Sequence, residues 1–97
     1  MHNIYIIRMG NAQLFHIGVN QFPYTVFQKL QKRNPFDLKM ICNFKINSNI
    51  KVKPDEIKNT IFDYLKIYKN EFLKNDWFTL TDKQINGLIK CLKEQFF

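Results

Sequence analysis

The sequence predicts one α+β domain over residues 1–97: a small three-stranded antiparallel sheet flanked by helices, in the order β-β-α-β-α-α. Three observations predict it. Two β-branched and aromatic runs near the start are joined by a short Gly- and Asn-containing connection, a third stretch alternates apolar with polar, and two later stretches repeat apolar residues at helical spacing. The chain has 97 residues, 45% hydrophobic and 24% charged, which is the size of a single domain. A domain this small buries only about 60–65% of its extended surface, so it needs a dense core. Its 10 Phe, 4 Tyr and 1 Trp can supply one.

The elements follow in order. Asn3-Ile4-Tyr5-Ile6-Ile7-Arg8 and Leu14-Phe15-His16-Ile17-Gly18-Val19 read as two strands. Met9-Gly10-Asn11-Ala12-Gln13 between them contains the residue types that tolerate the positive φ of a hairpin turn. Pro23 stands at a first helical position, where its missing N–H costs nothing. Val26, Phe27 and Leu30 then mark a helix of about ten residues that stops before Asn34-Pro35. In Leu38-Lys39-Met40-Ile41-Cys42-Asn43-Phe44-Lys45-Ile46 the even positions are apolar, which predicts a third strand with Leu38, Met40, Cys42, Phe44 and Ile46 on one buried face.

After the polar break Asn47-Ser48-Asn49, Pro54 opens a second helix. Ile57, Ile61, Tyr64, Leu65, Tyr68 and Phe72 fall at i, i+4, i+7, i+8, i+11 and i+15, the spacing of one buried stripe. Asn75-Asp76 breaks it, and Trp77-Phe78 is expected to anchor the following turn to the core. Thr81-Asp82-Lys83-Gln84 fits a capping box and starts a third helix. Its apolar face is Ile85, Leu88, Ile89, Leu92 and Phe96.

Composition narrows the function classes. Cys42 and Cys91 are too few for a disulfide scaffold and have no zinc-ligand spacing, so two buried free thiols are expected. No apolar run approaches the roughly 18 residues of a membrane span, and Ile4 to Ile7 is too short for a secretory signal, so the expectation is an intracellular protein (cytoplasm, nucleus or virion) with no membrane partner. The formal net charge is +7. It is unevenly spread: residues 1–48 carry Arg8, Lys29, Lys32, Arg33, Lys39 and Lys45 against the single acid Asp37, a balance of +5. The rest of the chain carries +2, which makes the first half the expected face for a polyanion. With 13 Lys, 12 Ile and 11 Asn against 2 Arg, the usage is that of A/T-rich coding, as in some viruses, mobile elements and parasites.

The element order and four short stretches resemble the GIY-YIG nuclease superfamily, specifically its phage-type branch. Asn3-Ile4-Tyr5 stands where the family has Gly-Ile-Tyr, and His16-Ile17-Gly18 where it has Tyr-Ile-Gly or Lys-Ile-Gly. Lys29-Leu30-Gln31-Lys32-Arg33-Asn34-Pro35 looks like the branch's "QLQTGNP" stretch, and Asp76-Trp77-Phe78-Thr79-Leu80 like its "EWFxL" stretch. In active members, the resemblance implies, a tyrosine near the scissile phosphate helps to activate water, an arginine on the first helix steadies the phosphate, and a glutamate on the second helix holds a divalent metal. That chemistry needs all three, because metal and arginine offset the charge growing on the phosphate while a base takes the proton from water. Tyr5 matches the first role, and His16 could donate to a phosphate or take a proton. The arginine position falls on Val26, and the glutamate position falls on Ile61 or, with a gap, Lys58. Glu56 and Asp63 are the nearest acids.

The resemblance is therefore degenerate at its catalytic positions, and three functions are open. The first is an inactive nuclease-like domain that binds nucleic acid, double-stranded DNA in the first instance, through Arg8, Lys29, Lys32, Arg33, Lys39 and Lys45, with no cofactor. The second is a protein-interaction or self-associating module using Phe22, Tyr24 and Phe36 where these are exposed. The third is an endonuclease with rearranged catalytic residues, which would require Mg2+.

Overall fold

A computed structural model describes residues 2–73 and 77–97 of the chain. The elements are β1 (Asn3–Met9), β2 (Leu14–Asn20), α1 (Pro23–Lys32), β3 (Leu38–Lys45), α2 (Pro54–Leu65), a single 3-10 turn (Lys66–Tyr68), β4 (Trp77–Thr79) and α3 (Asp82–Phe96). The sheet has four strands, not the three expected from the sequence, and the order of elements is β-β-α-β-α-β-α. The strands lie in the spatial order β3-β1-β2-β4, and every pairing is antiparallel. The added strand is Trp77–Thr79, which pairs with Leu14–His16 rather than simply anchoring a turn. Three residues are too few to show a period, and the partner strand lies some sixty positions earlier, so the pairing has no local signature.

β1 is the spine. It pairs with β2 on one side and β3 on the other, and both of its faces are covered. Ile4 and Ile6, with Phe15 and Ile17 of β2, join one core with Ile57, Ile61 and Leu65 of α2, Phe78 of β4, and Ile85 and Leu92 of α3. Tyr5, Ile7 and Met9 join a second core with Leu30 of α1, Leu38 and Trp77, and Val26 and Phe27 pack against it. A strand buried on both faces reads as a continuous apolar run, and Ile4-Tyr5-Ile6-Ile7 is one.

β3 corrects the sequence reading in its face assignment. Ile6 lies opposite Cys42 and its neighbour Ile7 lies opposite Met40, which leaves Ile41 as an extra residue, a β-bulge. The bulge reverses the strand's sidedness. Leu38 joins the α1-side core and Met40 packs against it, whereas Cys42, Phe44 and, just past the strand, Ile46 join the core under α2 and α3. Five residues that alternate as one face therefore serve two, and Ile41 itself is exposed.

The connections are held by short-range chemistry. Gly10 takes φ +55° in the β1–β2 turn, its N–H donates to the Asp37 carbonyl at 2.8 Å, and the Ala12 N–H donates to the Met9 carbonyl at 3.0 Å. Between α1 and β3, Gln31 acts as a staple: its amide nitrogen donates to the Phe36 carbonyl at 2.9 Å, and its amide oxygen accepts from the Leu38 N–H at 2.8 Å. Asn34 accepts from the Phe36 N–H through its side chain at 3.0 Å.

α2 starts at Pro54, with Asp55 and Glu56 in the first turn, where acids complement the helix dipole. The expected stripe extends to Phe72, but the helix stops at Leu65 and tightens into the 3-10 turn. Ile57, Ile61 and Leu65, at i, i+4 and i+8, are buried, whereas Tyr64, inside the helix but off that line, is 74% exposed and Phe72, past the helix end, is 98% exposed. α3 carries the expected capping box: the Thr81 hydroxyl accepts from the Gln84 N–H at 3.1 Å, and the Gln84 side chain accepts from the Thr81 N–H at 2.9 Å. At its other end the Asn47 N–H donates to the Phe96 carbonyl at 2.7 Å, tying the C-terminal helix to the end of β3.

Phe78 is fully buried between β2 and the helices, with its ring 5.6 Å from that of Phe62. Phe78→Ala is expected to lower the unfolding free energy by about 3–5 kcal/mol in urea denaturation, the cost of a large buried cavity. A loss under about 1 kcal/mol would mean that β4 is not part of the cooperative core.

Candidate functional site

Tyr5 and His16 come together through strand register. Tyr5 lies opposite Gly18, and His16 follows two residues away on the same face of β2. Across the next pairing His16 lies opposite Trp77. The Tyr5 hydroxyl and His16 Nε2 share a hydrogen bond of 3.1 Å, and the His16 ring lies 5.7 Å from both the Tyr5 and Trp77 rings. Exposure is 5% for Tyr5, 9% for His16 and 3% for Trp77.

Gly18 makes this cluster possible. It lies within β2, and its backbone needs no special φ. What it supplies is room. The hydroxyl end of the Tyr5 ring lies against it, so a Cβ at position 18 would fall 2.6 Å from Tyr5 Cζ and closer still to the hydroxyl oxygen. Tyr5 is itself packed in the α1-side core, which resists a shift of the ring.

The remaining expected catalytic positions do not converge on this pair. Val26 is partly buried against the α1-side core, and Ile61 is buried in the core on the opposite face of the sheet. Lys58 is exposed on α2 with its ammonium 5.4 Å from the Phe62 ring. Glu56 and Asp63 are also exposed on α2, so the sheet itself separates both acids from Tyr5 and His16. Among the described residues no group of three His, Cys, Asp or Glu is placed to hold a metal ion. Asp76, part of the fourth stretch used in the resemblance, lies outside the described residues.

The six basic residues divide into three places. Arg8 is engaged within the fold: its Nε donates to the Ala12 carbonyl at 2.9 Å and an Nη donates to the Asn11 carbonyl at 3.1 Å. The guanidinium also meets Asp82 at the start of α3 at 3.3 Å and sits 5.4 Å from the Phe15 ring centroid. Lys39 lies opposite Arg8 in register and donates to the Asn11 side chain at 3.1 Å. Lys45 is exposed at the far end of β3, opposite Asn3. Lys29, Lys32 and Arg33 stay together, exposed along and just past the last turn of α1, and make no ion pair among the described residues.

α1 turns Pro23, Val26, Phe27 and Leu30 towards the sheet, which leaves Thr25, Gln28, Lys29 and Lys32 along its outer side. No acid interrupts that surface, since Asp37 is the one acid in residues 1–48. Phe22, Tyr24 and Phe36 are exposed at its two ends. The thiols differ from expectation: Cys42 is buried, and that burial pushes its pKa up against an opposing pull from Lys93, while Cys91 is exposed on α3.

Two features had no sequence signal. Trp77 joins the Tyr5–His16 cluster only through β4. A groove of about 470 Å³ between α2 and α3, lined by Tyr64, Tyr68, Leu88 and Cys91 among others, arises from the splay of two helices that each look locally complete. No known protein family, characterised protein or solved structure matches the chain.

Gly18→Ala is expected to destabilise the protein by about 1–3 kcal/mol in urea denaturation, the range for forcing atoms into a packed core. In a Tyr5→Ala background the same change should cost far less, giving a coupling energy of about 1 kcal/mol or more in a double-mutant cycle. Equal costs in both backgrounds would show that the ring is not what demands glycine.

Proposed function

We propose that the protein is a non-catalytic nucleic-acid-binding module that meets the phosphate backbone of double-stranded DNA through α1. The observation that carries this reading is the outer surface of α1, where Lys29, Lys32 and the adjacent Arg33 stand exposed beside Thr25 and Gln28 with no acid on the helix. Cations, hydroxyls and amides are the groups that hold phosphate oxygens without reading sequence. The acids of the protein are concentrated elsewhere: Asp55, Glu56 and Asp63 on α2, and Asp82 and Glu94 on α3. Such segregation directs a polyanion to the α1 side.

Tyr5 and His16 enter this reading as structural residues. The Tyr5 hydroxyl and His16 Nε2 bond each other, and both residues are buried beside Trp77, which favours a structural role over phosphate contact. The nuclease resemblance then describes a scaffold whose reactive positions carry packing. The reading suits an intracellular or virion setting, where DNA is available. No helix among the described residues is long and apolar enough to cross a membrane.

Fluorescence anisotropy of a labelled DNA duplex across a salt series tests the proposal. Three phosphate contacts predict a log–log salt slope of about −2.7, or roughly a 40-fold loss of affinity between 50 and 200 mM salt. Replacing Lys29, Lys32 and Arg33 together by Gln should abolish most of that slope. No binding at 50 mM salt would overturn the DNA reading, and self-association lost on replacing Phe22, Tyr24 and Phe36 would transfer this surface to a protein partner.

A further inference from the structure

The groove between α2 and α3 lies on the other side of the sheet from α1 and has no part in the proposed DNA contact. Its volume, about 470 Å³, lies within the range of small-molecule sites. A stable protein interface instead needs about 800 Å² from each partner, more than this recess offers. The groove runs along α3 from Lys83 to Phe96, a length of about 20 Å at the helical rise. Tyr68, Leu80 and Lys83 line one end, and Thr60 and Phe96 the other, because α2 and α3 run in opposite directions past it.

Its lining is apolar through the middle, where Ile61, Tyr64, Leu88 and Leu92 contribute. Among the described residues that line it, Lys83 alone carries a charge. Lys83 stands in the first turn of α3, so its ammonium and the positive end of the helix dipole act at the same end of the groove. An elongated apolar recess with one cationic end is complementary to a ligand with an apolar chain and one anionic end. We propose that this groove binds a free long-chain carboxylate, with the chain lying between α2 and α3 and the carboxylate held by Lys83.

The groove contains its own reporter. Cys91 lines it and is exposed, whereas Cys42 is buried with its thiol pKa raised, so iodoacetamide at mildly alkaline pH reads Cys91. It also contains a position for closing it. A Cβ at Gly87 would meet no atom within 4 Å, so a side chain there starts in open space at the groove lining, and Gly87→Trp is the variant expected to cover the opening.

The experiment follows Cys91 carboxamidomethylation in the full chain against laurate and, separately, dodecanol, both below their aggregation limits. Laurate is expected to suppress labelling saturably, and Lys83→Gln to weaken laurate by about fivefold, the effect of one partly exposed ion pair, while leaving dodecanol unchanged. Gly87→Trp, checked as folded by circular dichroism, should abolish laurate binding measured by calorimetry. No protection by laurate, or equal protection in Lys83→Gln, would overturn the proposal. So would self-association that is lost in Gly87→Trp while laurate fails to bind, since a second copy would then be the occupant.

Discussion

The structure depends on a central strand with no solvent-facing side. Ile4, Tyr5, Ile6 and Ile7 are all buried, with even positions under α2 and α3 and odd positions on the α1 side. Both faces of the sheet must be covered, and the described residues form only three α-helices to do it. The economy is visible in the neighbours of β1. The bulge at Ile41 lets β3 supply apolar residues to the α1-side core at one end and to the opposite core at the other. Trp77 and Phe78, adjacent in β4, are likewise split between the two. The second core is the thinner, and the Tyr5 ring set against Gly18 helps to fill it.

That arrangement determines what Tyr5 and His16 can do. A tyrosine and a histidine two positions apart in register form a hydrogen-bonded pair, but on a face already occupied by Trp77 and neighbouring core residues. The acids of α2 stand beyond the sheet from them. Gln31 and Asn34, two residues of the stretch that resembles the phage-type branch, spend their side-chain amides on the backbone of the α1–β3 connection. With the interior committed to packing on both sides, the outer side of α1 and the groove between α2 and α3 are the two surfaces on which the functional readings rest.

Much of this was legible in the chain. The hairpin, the helix after Pro23 and the Thr81 capping box each have local signatures and form as read, and the helix after Pro54 starts where expected but ends at Leu65. What failed was long-range or depended on register. β4 is defined by a partner far away in sequence, and the bulge changes the meaning of a pattern that is regular on paper. The stripe from Ile57 to Phe72 is narrower in the helix than its spacing suggests and runs past the helix end, so Tyr64, off the Ile57-Ile61-Leu65 line, and Phe72, beyond Leu65, are left in solvent. The six basic residues look equivalent in sequence, yet Arg8 is consumed by a turn and an ion pair while Lys29, Lys32 and Arg33 remain available.

The most direct test of the account is amide chemical-shift mapping of the labelled protein during titration with a short DNA duplex at low salt. If the sheet is closed on both faces and α1 is the working surface, the perturbed amides will be those of Thr25, Gln28, Lys29, Lys32 and Arg33, with the strand amides around Tyr5, His16 and Trp77 unmoved. Perturbations centred on His16 and Gly18 would contradict it, because they would require DNA to reach a cluster that the structure holds shut.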